Sequence, residues 1–369
     1  MSMVVTDAMI VAGGRGTRLF PLTHDTPKPL LKFCGRPFLE GVIGRLADAG
    51  VDRIFLVVGA DTSPFEILRP AAAELGVTLV MVPEPEALDT AGGVRAAAEQ
   101  VEGPFLVLNG DVLTDVDVRE VLARHLATQA DATLTLALVE DTSTFGVCVR
   151  DDLGMVTRFV EKPAPGTLPG QNAINAGTYV LEAGVIRAFP PGRLSFEHTV
   201  FPGILESGGA IAGFVSEGVW GDIGTPQRWL WGHAVAMAGD LSWPCVAAVP
   251  ERAPRVRVHP DAQVDVRATL VEPVLVAAGA RIRRGAVVGP GTYVGRSALI
   301  GEGVHLLESV IGDACDVGAG VRVARLITGD DVRIGERARL GPDIVLGDSV
   351  EVAPGQVIAE GARLPEARP

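Results

Sequence analysis

Gly285-Ala-Val-Val-Gly-Pro-Gly-Thr-Tyr-Val-Gly-Arg-Ser-Ala-Leu-Ile-Gly301 repeats itself every six residues. Val288, Val294 and Ile300 share one phase, each followed directly by glycine, and Val276 and Ile282 extend that phase backwards. Ala286, Thr292 and Ala298 recur two places earlier. After slips near 306–311 and 323–334 the phase returns at Ile334, Leu340, Leu346, Val352 and Ile358. A helix cannot hold glycine in a fixed phase of six. A stacked solenoid can, because each short strand sends one aliphatic side chain inward and then turns a corner. The spacing predicts a solenoid domain over 262–369.

Upstream the texture differs. Residues 241–261, rich in Pro and Val, read as a connector, and residues 1–240 alternate β-rich runs with amphipathic stretches. Strands are predicted at Ala8–Ala12, Arg53–Val58, Val77–Val82, Phe105–Leu108 and Ala132–Leu138. Helices are predicted at Phe38–Ala49, Phe65–Leu75, Thr90–Glu99 and Val116–Thr128. Strands nearly continuous in apolar residues and separated by helices imply an α/β domain. Its sheet should be Rossmann-like, mostly parallel and covered by helices on both faces. Ligands of such sheets sit beyond the carboxyl ends of the strands.

Composition excludes several classes. The net charge of −13 argues against sequence-independent nucleic-acid binding, which needs basic surface. No apolar run approaches the length that spans a bilayer. The N-terminal residues lack the basic and apolar regions of a secretion signal. Cys34, Cys148, Cys245 and Cys315 lie far apart, so neither a zinc ribbon nor a disulfide scaffold is expected. These features predict a soluble, acidic, cytoplasmic protein. Its 32 basic residues include only three lysines, Lys28, Lys32 and Lys162, so each invites a physical reason. Lysine offers a compact point charge where a guanidinium fork is too wide.

The segment Ala12-Gly-Gly-Arg-Gly-Thr-Arg18, continuing through Thr26-Pro-Lys-Pro-Leu30, begins where the first strand ends. Its glycines let the backbone approach a ligand and aim amides at an anion. Arg15, Arg18, Lys28, Lys32 and Arg36 add positive charge opposed only by Asp25. It is neither a P-loop, since no Gly-Lys-Ser/Thr follows, nor a dinucleotide fingerprint, since Leu19 replaces the third glycine. The pattern reads as a polyphosphate site. Asp111 follows an apolar strand, and Asp222 lies in a glycine-flanked turn. Both suit a magnesium ion, which takes one or two carboxylates together with phosphate oxygens.

These residues, with Leu88-Asp-Thr-Ala-Gly-Gly93, Leu108-Asn-Gly-Asp111, Phe159-Val-Glu-Lys-Pro163, Asn175-Ala-Gly177 and Trp220-Gly-Asp-Ile-Gly-Thr225, resemble the signature of the sugar-1-phosphate nucleotidylyltransferases. The hexads resemble the left-handed β-helix that several members append. The resemblance covers nearly the whole chain. It implies transfer of a nucleotidyl group from a nucleoside triphosphate to a sugar-1-phosphate, releasing pyrophosphate. By it, Ala12, Gly13, Gly14, Arg15, Gly16, Thr17, Leu88, Thr90, Gly92, Asn109 and Gly110 hold the nucleotide. Gly146, Glu161 and Asn175 face the sugar phosphate. Arg18, Lys28, Asp111, Lys162 and Asp222 are catalytic, and Asp111 and Asp222 hold Mg2+.

Pro27-Lys-Pro-Leu30 and the Thr90-Ala-Gly92 segment look most like guanylyl-transferring members acting on mannose-1-phosphate, although Asp89 stands where many of those carry Gly. Thymidylyl or uridylyl transfer to glucose-1-phosphate is the alternative within the class. Two other readings are weighed. A non-catalytic regulatory or scaffold subunit would lose the phosphate and metal residues, which this chain keeps. An acyltransferase β-helix would need a catalytic His, and only His305 lies among the hexads. The β-helix is expected to support homo-oligomerisation, and its deletion to alter assembly more than chemistry.

Overall fold

A computed structural model describes residues 6–14, 16–164 and 166–366. The chain divides into two compact units, Met1–Gly14 with Val42–Trp220, and Arg15–Gly41 with Gly221–Pro369.

The first unit is built on a nine-stranded sheet. Its strands are β1 (Asp7–Val11), β2 (Arg53–Gly59), β3 (Thr78–Glu84), β4 (Pro104–Asn109), β5 (Ala132–Leu138), β6 (Gly146–Arg150), β7 (Val156–Glu161), β8 (Ala173–Glu182) and β9 (Ile211–Val215). The main path runs β7-β6-β8-β4-β1-β2-β3, with β5 paired to β8 and β9 to β5. Pairings β1–β2, β1–β4 and β2–β3 are parallel, as helical crossovers require. β6 and β7 pair antiparallel because the short link between them cannot make a crossover. β8 is antiparallel to β4, β5 and β6, so the second half of the sheet is mixed.

Each strand read from the sequence agrees with the structure to within two residues. One helix differs. Phe65–Leu75 resolves into a 3₁₀ stretch, Ser63–Leu68, and a short α-helix, Arg69–Glu74. Pro64 and Pro70 supply no backbone N–H, which confines each to the first turn of a helical segment and separates the two. The core gathers Phe55, Phe105, Tyr179, Phe196 and Phe201, with Tyr179 and Phe201 edge to face at 5.2 Å between centroids.

The second unit contains three sheets made of strands two or three residues long, parallel except where Glu251–Ala253 pairs antiparallel with Val256–Val258, in keeping with the left-handed β-helix. Val276 pairs with Val294, Ile282 with Ile300 and Val288 with Leu306, giving a coil of three hexads. Register then shortens by one residue: Val294 pairs with Ile311 and Ile300 with Val317. The full coil returns where Thr328 pairs with Leu346 and Ile334 with Val352. The two phase slips are therefore single-residue deletions at corners, which leave the inward aliphatic column intact. Hexad glycines mark the close stacking of corners, where a Cβ at Gly295 would collide with the Gly312 carbonyl. Residues 15–41 join this unit through an aromatic cluster. Phe33 meets Trp229, His233 and Trp243, and Phe38 stacks on Trp243 at 5.2 Å.

Candidate functional site

In the first unit the predicted residues collect at the carboxyl ends of strands. β1 delivers Ala12, Gly13 and Gly14, and Ala12 N–H donates to the Val57 carbonyl at 2.8 Å. β4 delivers Asn109, Gly110 and the half-buried Asp111. Gly110 N–H donates to the Val11 carbonyl at 2.8 Å, and a Cβ there would stand 2.8 Å from that same oxygen. Glycine is thus demanded where the two loops leave adjacent strands. Arg15 lies outside the described residues.

The Leu88–Gly92 segment is buttressed rather than free. The Leu88 carbonyl accepts from Leu194 N–H at 2.9 Å, and a Cβ on Gly92 would stand 2.5 Å from the Gly192 carbonyl oxygen. The Thr90 hydroxyl donates to Glu197 Oε2 at 2.6 Å and accepts from Phe196 N–H at 2.9 Å. Asp89 has φ +66°, a backbone region that favours glycine but that Asp and Asn tolerate. Its carboxylate accepts from Thr90 N–H at 3.0 Å. The exchange of Gly for Asp here therefore keeps the turn.

The residues expected to face the sugar phosphate form a group of their own in the same unit. Gly146 and Glu161 face each other across the β6–β7 pair. Lys162 follows with φ +43°, and its Nζ lies 2.9 Å from Glu161 Oε1. That hydrogen bond holds the ammonium above its ordinary pKa, so it is charged at neutral pH. Asn175 Nδ2 donates to the Tyr179 hydroxyl at 2.8 Å, and its Oδ1 accepts from Gly177 N–H at 3.0 Å. A Cβ on Gly177 would press on the Asn109 side chain, so this turn abuts the strand end assigned to the nucleotide.

The second unit brings together Gly16, Thr17, Arg18, Lys28 and Asp222. Two single 3₁₀ turns, Thr17–Leu19 and Lys28–Leu30, carry the cations. Pro27 and Pro29 flank the buried Lys28. Its Nζ lies 3.4 Å from Asp222 Oδ1, while Arg18 Nη2 lies 3.3 Å from Oδ2. Burial alone would raise the Asp222 pKa, but the charges of Lys28 and Arg18 outweigh it and hold the carboxyl below its ordinary value. A Cβ on Gly224 would stand 2.7 Å from Arg18 Nη2 and 3.0 Å from Lys28 Nζ. Glycine leaves room for these groups to converge without displacement. Two cations thus share the Asp222 carboxylate.

Sequence reading missed three residues. Gly224 was visible only as part of a turn. Glu197, the partner of Thr90, lies in no motif. Glu84 ends β3, and its Oε2 would be 3.5 Å from a Cβ on Gly13. Its Oε1 is buried without a formed hydrogen bond. Burial pushes its pKa up, offset only in part by the nearby Gly93 amide. A half-buried carboxylate with one oxygen left without a hydrogen bond beside the glycine loop is a candidate ligand contact, and it is a signal available only in three dimensions.

A glycine-lined strand end and a pair of cations focused on one carboxylate define a phosphate-handling α/β protein. The chain belongs to the nucleotidyl transferase family, whose pattern matches residues 7–236, and a GMPPB C-terminal domain pattern matches residues 270–368. Mannose-1-phosphate guanylyltransferase of Mycobacterium tuberculosis is 36% identical over 323 residues, covering 86% of this chain and 83% of that protein. Mannose-1-phosphate guanyltransferase of Candida albicans is 35% identical over 362 residues, covering 96% and 94%. Among solved structures, HddC from Yersinia pseudotuberculosis superposes with a TM-score of 0.54 at 29% identity, covering 62% of this chain and 98% of that one. HddC has also been solved in complex with GMP-PN, and that structure gives a TM-score of 0.52 at 30% identity over the same shares.

Proposed function

We propose that this protein transfers a guanylyl group from GTP to mannose-1-phosphate, making GDP-mannose and pyrophosphate. The observation that carries the chemistry is the convergence of Lys28 and Arg18 on Asp222 beside Gly224. The choice of substrates is supported by the full-length likeness to the Mycobacterium and Candida proteins. Glu84 supports the base. An ionised carboxylate offers two acceptors, matching the adjacent N1–H and 2-amino donors of guanine. Uracil and thymine present one N–H between two carbonyls and match it poorly.

A phosphate monoester with a second pKa near 6 is largely dianionic at pH 7, so the nucleophile needs no general base. The reaction reduces to aligning two anions and neutralising the charge that develops. Arg18 and the glycine backbone bind the triphosphate, and Lys28 stabilises the α-phosphate and the departing pyrophosphate. Lys162 meets the sugar phosphate, with Glu161, Asn175 and the bare backbone of Gly146 toward the sugar.

Among the described residues no cluster of three or more His, Cys, Asp or Glu side chains forms a metal cage. Magnesium needs none, since phosphate oxygens and water complete its shell. Both Asp222 oxygens stand 3.3–3.4 Å from their cations, longer than a tight charged hydrogen bond, and keep lone pairs available. Asp111 and Asp222 are the residues that would hold Mg2+, which supplies charge neutralisation on the phosphates. No helix among the described residues is long and apolar enough to cross a membrane. A cytoplasmic homo-oligomer assembled through residues 262–369 is the setting this reading proposes.

The test is pyrophosphate release with magnesium across GTP, dTTP, UTP, ATP and CTP, each with mannose-1-phosphate or glucose-1-phosphate. Turnover confined to GTP and mannose-1-phosphate is expected. Turnover with dTTP or UTP and glucose-1-phosphate instead overturns the substrate assignment and retains the reaction class.

A further inference from the structure

The turn that carries Arg18 has little structure of its own. Two backbone hydrogen bonds, Leu19 N–H to Gly16 at 3.0 Å and Phe20 N–H to Thr17 at 3.2 Å, close it, and the Arg18 side chain is 63% exposed. A single 3₁₀ turn is marginal in water. Buried Leu19 and a 3.1 Å hydrogen bond from the Thr23 hydroxyl to the Gly16 carbonyl hold it locally, and a further hold comes from the β-helix. Arg363, in the strand Arg363–Leu364, donates through Nη1 to the Arg18 carbonyl at 2.7 Å and to the Phe20 carbonyl at 3.1 Å. Hydrogen bonds from a charged donor are among the stronger kind.

The same segment is gripped on successive coils. Lys32 Nζ lies 2.7 Å from Asp313 and 2.6 Å from Asp330, and Arg296 shares Asp313 at 2.9 Å. Burial would raise the Asp313 carboxyl, but hydrogen bonds from Lys32 and Arg296 outweigh it and hold its pKa low. This accounts for Lys32, one of only three lysines, as a clamp rather than a ligand of the substrate.

We propose that Arg363 is a positioning residue for Arg18, so that the β-helix is a working part of the triphosphate site. The proposal rests on the reading of Arg18 as a triphosphate ligand. By holding the carbonyls at Arg18 and two residues beyond it, Arg363 fixes the backbone from which the guanidinium reaches Asp222. A displacement of about 1 Å in such a group costs on the order of a hundredfold in rate.

Full-length Arg363→Ala, Arg363→Lys and Arg333→Ala test it. Arg333 makes an exposed 3.4 Å ion pair with Glu351 in another β-helix sheet and serves as the control. Two quantities are read: hydrogen exchange of the amides in 16–24 without substrate, and the GTP dependence of pyrophosphate release. Arg363→Ala should raise exchange in 16–24 at least about tenfold and the KM for GTP about tenfold, at an unchanged melting temperature. Arg363→Lys should recover part of both, since an ammonium can reach one carbonyl, and Arg333→Ala should alter neither. Wild-type exchange in Arg363→Ala, or equal losses in Arg333→Ala, overturns the proposal. If the wild-type protein turns over no substrate pair, the functional reading fails, and the exchange of 16–24 still decides whether Arg363 holds the turn.

Discussion

Lys28 Nζ stands 3.4 Å from Asp222 Oδ1, an ion pair across 194 residues of sequence in which the lysine is 7% exposed and the aspartate 24%. Removing one member of a largely buried pair is strongly destabilising, on the order of 3–5 kcal/mol. Here Arg18 remains to share Asp222, so the cost should fall below that range. Replacing Lys28 with Met should keep the fold and lower kcat at least about a hundredfold. Lys28→Arg should not restore activity, because a guanidinium fork is wider than an ammonium and the Lys28 side chain is only 7% exposed. Single-turnover pyrophosphate release, with circular dichroism as the folding control, decides the point. A Lys28→Met enzyme of near wild-type rate would remove Lys28 from the chemistry.

Gly146→Ala probes the sugar side. An added Cβ would overlap Phe159 Cζ and come within 2.8 Å of Glu161 Oε2. Phe159 is packed in the core and cannot yield freely, so the collision should shift Glu161. A stability loss of about 1–3 kcal/mol is expected from such overpacking. The KM for the sugar phosphate should rise about tenfold or more while that for the nucleotide stays near its original value.

Glu84→Gln replaces two acceptors with one acceptor and one donor. That pattern suits the N3–H and O4 edge of uracil or thymine. The variant should lose about a hundredfold in kcat/KM for GTP and gain relative activity with UTP or dTTP. Because the variant removes a buried charge whose pKa burial pushes up, its melting temperature at pH 7 should equal or exceed that of the parent. Unchanged base preference would detach Glu84 from the base.

His233 sets a pH dependence of stability. Fully buried, its Nε2 accepts from Cys34 N–H at 3.1 Å and its Nδ1–H donates to the Trp229 carbonyl at 2.9 Å. The neutral ring satisfies both partners. A second proton would meet the Cys34 donor head on. Burial depresses its pKa to about 4 against an ordinary 6.5. The folded state therefore binds fewer protons than the unfolded one between those values. Stability should be full above pH 6.5 and fall as pH drops toward 4, by about 3 kcal/mol in total. Urea unfolding across this window should show the slope, and His233→Gln, neutral throughout, should flatten it.

Much of this architecture is written locally. Continuous apolar runs such as Arg53–Val58 locate parallel strands because both faces of such a strand are covered. The hexads locate the solenoid, slips included, because each inward residue must keep phase with the coil beneath it. What stays hidden is pairing at a distance. Nothing near Thr17–Phe20 announces that Arg363 bonds its carbonyls, and nothing near Thr90 announces Glu197. Glu84 looks like any acid at a strand end until its burial beside Gly13 is seen. The placement of Arg15–Gly41 with Gly221–Pro369 also escapes local patterns, since Phe33, Phe38 and Trp243 read simply as apolar residues.

The clasp between Arg363 and the turn after Gly16 has a consequence for how the molecule is made. Synthesis runs from the N-terminus, so Arg18 and Lys28 leave the ribosome well before the partners they meet in the folded protein. Asp222 arrives 194 residues after Lys28, and Arg363 arrives 345 residues after Arg18. Until Arg363 has been translated the cationic turn lacks this hold, and a polypeptide cut before that coil would lack it altogether. Translation through residue 363 thereby becomes a precondition for the full ordering of the turn that carries Arg18.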